Sequence, residues 1–74
     1  MFALGDFVRV TETMGIIGDP VEMLGAGIMF KGAPAIIIAV DPENMPGQSE
    51  IRSADCKQAW IPDECLELIQ ECPP

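Results

Sequence analysis

The chain has no histidine and no tyrosine, a single tryptophan, and only four basic residues against twelve acidic ones, for a formal charge of −8 over 74 residues. Each scarcity excludes something. Without histidine, a cysteine or serine nucleophile lacks its usual neighbouring base, and a metal site lacks its commonest nitrogen ligand. With four scattered bases there is no Lys/Arg cluster to neutralise a phosphate backbone, so nucleic acid is not expected as a partner. The same deficit argues against an anionic membrane surface. Without tyrosine, the aromatic groove that reads proline-rich peptides cannot be built. The three cysteines, Cys56, Cys65 and Cys72, are odd in number and unpatterned, which argues against a disulfide framework. No Cys-x-x-Cys or Asp-x-Asp loop is present either, and neither a metal nor another cofactor is expected. Long apolar runs are also missing. The longest, Ala33 to Val40, holds a proline and is too short to span a bilayer. The segment Met1–Asp6 has neither a basic stretch nor a signal-peptide core. A cytoplasmic protein with reduced thiols is the expectation.

What the chain does have is apolar residues, 49% of the total. That is a high share for a domain with so much surface per residue, and it favours covering some of that surface with another chain. One domain over residues 1–74 is expected, with residues 70–74 as a tail that the final Pro-Pro keeps irregular.

The strand signals are short and separated by breakers. Phe7, Arg9 and Thr11 alternate with Val8 and Val10, a period of two that turns the valines inward. Ala35–Val40 is the strongest strand. Its three consecutive isoleucines imply burial on both faces, or one face in the core and the other against a partner. Ser49–Ser53 reads as a polar, edge-like strand, Ala54–Lys57 as a tight turn, and Gln58–Ile61 as the next strand, stopped by Pro62. Pro62–Cys65 reads as one helical turn that Asp63 could cap. Leu66–Ile69 closes the fold, with Leu66 and Leu68 on one face. Residues 13–32 form a long first loop, rich in glycine yet apolar. Asp19-Pro20-Val21-Glu22 predicts a short helical turn near residues 20–24. The alternative is a hairpin turning at Gly18–Asp19.

Three motifs in this order, Gly5-Asp6-x-Val8-Arg9-Val10, Lys31-Gly32-Ala33 leading into Ile38-Ala39-Val40, and Trp60-Ile61-Pro62-Asp63-Glu64-Cys65-Leu66-Glu67-Leu68-Ile69, resemble the SH3-like barrel superfamily. The resemblance implies an all-β, five-stranded SH3-like barrel with a long first loop carrying the short helical turn. Within that superfamily the chain is most similar to the variable chain of ferredoxin–thioredoxin reductase, which implies an accessory subunit without a cluster of its own. It also resembles, less closely, the plasmid-type (type II) dihydrofolate reductase, whose ligand contacts lie in a Val-Gln-Ile-Tyr-Pro strand. Here that strand reads Gln58-Ala59-Trp60-Ile61-Pro62. Ala59 and Ile61 replace the functional glutamine and tyrosine, so that activity is not implied.

No residue pattern supplies a catalytic group. Cys65 lies between an acid and a leucine, a setting that raises a thiol pKa, and reads as a small buried hydrophobe. Cys56 reads as an incidental surface thiol. Asp63, Glu64 and Glu67 read as solvated turn acids. Trp60 is either core or the anchor of an interface. The methionines of the first loop suit an adaptable contact surface. The candidate interface residues are therefore Met14, Ile16, Ile17, Met23, Leu24, Met29, Phe30, Ile37 and Trp60. The expected function is a non-catalytic interaction or accessory module that self-associates or binds a protein partner. The alternative is a small oligomeric enzyme or ligand binder with its site at a subunit interface.

Overall fold

The computed structural model describes residues 2–16 and 27–71. These residues form seven strands and one 3-10 turn, so the described chain is all-β. The strands are β1 (Phe7–Val10), β2 (Met14–Ile16), β3 (Gly27–Met29), β4 (Pro34–Val40), β5 (Gln48–Ser53), β6 (Gln58–Pro62) and β7 (Leu66–Gln70). Asp63–Cys65 makes the 3-10 turn between β6 and β7. Five strands form one antiparallel sheet in the order β6-β5-β4-β1-β7, and β2 and β3 pair as a separate antiparallel ribbon.

The core is set by the alternation along each strand. Val8 and Val10 face inward, as their spacing predicts, with Ala35, Ile37, Ile51, Ile61 and Leu66 beside them and Met29 of the ribbon closing over them. Directly opposed residues share a face. The pairs Ile37–Ile51, Ser49–Ile61 and Val10–Leu66 therefore define the inner side of the sheet.

Several expectations are corrected here. β5 is not an edge strand, because it pairs with β4 on one side and β6 on the other. Its polar residues mislead because Ser49 and Ser53 are buried with their hydroxyls satisfied. Ser49 Oγ donates to Asp63 Oδ1 at 2.7 Å, and Ser53 Oγ donates to Asp55. Asp63 consequently does not cap the turn it begins. Pro62 occupies the cap position without a side-chain hydrogen bond, and the Asp63 carboxylate serves β5 instead. Leu66 and Leu68 do share a face, opposite Val10 and Val8, but Leu66 is buried while Leu68 stays partly exposed because β7 ends the sheet.

The first loop is partly a hairpin. Met14 opposes Met29 and Ile16 opposes Gly27. The helical turn expected near residues 20–24 and the alternative turn at Gly18–Asp19 both lie outside the described residues, as does the end of the expected tail beyond residue 71. The return from β3 to β4 uses Gly32 at a φ of 87°, where its N–H donates to the Val10 carbonyl at 2.8 Å. That left-handed conformation costs glycine little.

Candidate interface on the outer sheet face

The side of the sheet away from the core is a continuous surface whose residues can be read off the pairing register. Phe7 of β1 opposes Ile36 of β4, Ile36 opposes Arg52 of β5, and Arg52 opposes Gln58 of β6. The next row runs from Ala39 of β4 through Glu50 of β5 to Trp60 of β6. A bulge at Ile38, between Ile37 and Ala39, separates the two rows on β4. The outcome is a face with Phe7, Ile36, Ala39 and Trp60 around one Arg/Glu pair of opposite charge. Phe7 is 44% exposed, and Ile36, Ala39 and Trp60 are half-buried.

This register places the sequence-predicted residues unevenly. Trp60 lies outside the core cluster and on the outer face, because its neighbours Ala59 and Ile61 take the inner positions opposite Ile51 and Ser49. Ile37 and Met29 are corrections. Each is only 1% exposed within its own chain, so neither can present a contact surface. In the isoleucine run the outward residue is Ile36. Met14 is half-buried and packs on the core cluster. Phe30 is 63% exposed, and its neighbour Ile28 is also exposed, so the β3 arm carries a second apolar surface. Ile16 lies in β2 opposite Gly27, and Ile17, Met23 and Leu24 lie outside the described residues. The outward face of the Ile36–Ile38 strand was expected to take part in self-association, and Ile36 is the residue that stands there opposite Phe7 and Arg52. Phe7 was missed by sequence reasoning. The signal that could have found it is the partner of the Val8/Val10 alternation: once the valines point inward, Phe7 points outward.

The polar clusters have structural explanations. Cys65 is half-buried rather than buried, and its Sγ donates to Glu12 Oε1 at 3.1 Å. The Glu12 carboxylate raises the thiol pKa above its ordinary value, first by accepting that hydrogen bond, with desolvation and the Glu12 and Glu64 charges adding to it. A thiol held protonated is a poor nucleophile. Asp55 accepts from Lys57 Nζ at 2.6 Å and from Ser53, and both contacts hold its carboxyl below the usual range. These bonds pin the β5–β6 turn, in which exposed Cys56 adopts a φ of 66°. Asp41 is held low by the side chain and backbone N–H of Asn44 within its own loop. Among the described residues no group of three or more Cys, Asp or Glu side chains could hold a metal ion. A cleft of about 70 Å³ between Phe2, Val40, Pro42 and Gly47 is far smaller than a metabolite pocket of several hundred Å³. No helix among the described residues is long and apolar enough to cross a membrane.

No protein-family model, no curated protein and no solved structure matches this chain.

Proposed function

We propose that the chain is a non-catalytic interaction module that self-associates through the outer face of its five-stranded sheet. The observation that carries this reading is the outward position of Trp60. It is the only tryptophan in the chain, it stands outside the core cluster, and it shares a face with Phe7 and Ile36. A tryptophan turned outward on a sheet surface, in a row with Glu50 and Ala39, is the kind of residue that anchors an interface. The apolar share of 49% is consistent with it, because the eight buried core hydrophobics leave Phe7, Phe30, Ile28 and Leu4 in solvent.

The SH3-like barrel remains the finer reading of the fold. It is supported by a hairpin inserted directly after the first strand, by a 3-10 turn before the last strand, and by the return of that last strand to pair with the first. The hydrogen-bonded pairing among the described residues ends at β6 and β7. An accessory role of the kind implied by the reductase variable chain is compatible with the same face.

Sedimentation velocity over a concentration series tests the function. Association that is weakened by Trp60→Ala and Ile36→Ser, with the fold retained by circular dichroism, supports the reading. A monomer throughout refutes it. An assembly that encloses a polar pore and binds small molecules would favour the interface-site enzyme or ligand binder instead.

A further inference from the structure

We propose that the outer face is occupied by a second copy of this chain in one specific orientation. The two-fold axis lies between the two sheets, perpendicular to the strands, and crosses β5 at the level of Ile51. Arg52 of each copy then faces Glu50 of the other. This inference rests on the self-association reading above and adds the partner's register to it.

The charges on the face carry the argument. Of the four bases in the chain, Arg9 pairs with Glu67 at 3.8 Å and Lys57 with Asp55 at 2.6 Å. Lys31 is exposed in the β3–β4 turn and belongs to no strand of the sheet. Arg52 is exposed, stands between Ile36 and Gln58 on the outer face, and forms no ion pair among the described residues. Glu50, two positions away on the same face of the same strand, forms none either. The pair is therefore a cation and an anion whose positions exchange when the strand direction is reversed.

An axis perpendicular to the strands performs that reversal while keeping β4 over β4 and β6 over β6. Arg52 then meets Glu50 twice, Ile36 comes level with Ala39, and Trp60 comes level with Gln58. An axis parallel to the strands would instead set Arg52 on Arg52 and Glu50 on Glu50. Each copy carries a formal charge of −8, so two copies approach against a net repulsion. Orientations that stack like charges at the centre of the face are disfavoured first, because opposed like charges cost more there than at a wet rim. An isologous contact of this kind closes as a dimer rather than propagating as a filament through the same face.

Charge reversal tests the orientation. Sedimentation equilibrium is run on the wild type, Arg52→Glu, Glu50→Arg and the double variant, each checked for a wild-type circular dichroism spectrum. Each single variant is expected to raise the dimer dissociation constant by about tenfold, because two favourable contacts become two like-charge contacts. The double variant is expected to return to within about threefold of the wild type. Single variants that dimerise like the wild type would overturn the orientation while leaving self-association standing. A double variant as weak as the singles would do the same. A wild type that stays monomeric would overturn the orientation and the underlying reading together.

Discussion

Replacing Ile37 and Ile36 separately by alanine tests the register on which the outer face depends. The two residues are adjacent, identical and in the same strand, yet the structure assigns them to opposite faces. Ile37 is 1% exposed, opposite buried Ile51. Ile36 is half-buried, opposite exposed Arg52 and exposed Phe7. Truncating a fully buried isoleucine removes its transfer free energy and leaves a cavity, for a cost of about 2–5 kcal/mol. A 74-residue domain has a total stability of roughly 4–11 kcal/mol. Ile37→Ala should therefore remove a large share of it. With a urea slope of about 1 kcal/mol/M, the unfolding midpoint should fall by about 2 M or more. Ile36→Ala removes surface that is already partly wet and should cost about 1 kcal/mol or less in the monomer. The assay is urea unfolding followed by circular dichroism, at a protein concentration low enough to keep the chain monomeric. Equal costs, or the reverse order, would mean that the strand is shifted by one residue, which would invert every side-chain assignment on β4.

Three other outcomes follow from individual contacts. Ser49→Ala should destabilise the fold by about 1–2 kcal/mol, since it deletes a buried hydroxyl bonded to Asp63, and Asp63→Ala should not add its full effect in the double variant. Cys65 should be alkylated more slowly than exposed Cys56, and Glu12→Gln should speed Cys65 alkylation at pH 8, because the carboxylate that raises the thiol pKa is gone; peptide mapping by mass spectrometry reads both. The sign for stability follows from the same shift: a thiol pKa raised on folding stabilises below its unfolded value and the effect is lost as pH rises through the folded value, so Cys65 should weaken the fold only in the alkaline range. Cys56→Gly should raise the melting temperature slightly, since it relieves a left-handed non-glycine residue at a cost of order 1 kcal/mol, partly offset by the looser unfolded chain.

Local signals in the sequence were enough for much of the fold. The Val8/Val10 alternation, the isoleucine-rich strand, the turn at Ala54–Lys57 and the helical turn after Pro62 all depend on neighbours in the chain, and each is found where the residues place it. Features that depend on distant partners were not legible. β5 looks like an edge because Ser49 and Ser53 are polar; Ser53 finds its acceptor in nearby Asp55, but Ser49 is acceptable in the interior through the carboxylate of Asp63, fourteen residues on. The isoleucine run offers no polar residue to mark its outer side, so it could not distinguish Ile36 from Ile37. The bulge at Ile38 then breaks the alternation within the same run. Trp60 was ambiguous for a similar reason: Ala59, Trp60 and Ile61 are all apolar, and the choice of face comes from pairing with Glu50. The direction of the Cys65 shift was legible from Glu64, but its main cause is Glu12, at the far end of the sequence.

The single tryptophan gives self-association an optical reporter on the outer face. Trp60 is half-buried on the outer face of one copy, and self-association through that face would cover it. Its fluorescence can be followed through a dilution series alongside the sedimentation coefficient. The emission maximum should move to longer wavelength over the same concentration range in which the sedimentation coefficient falls to that of a monomer. A dimer that dissociates with no change in Trp60 emission would contradict the assignment of the interface, and a monomer at every concentration would contradict self-association itself.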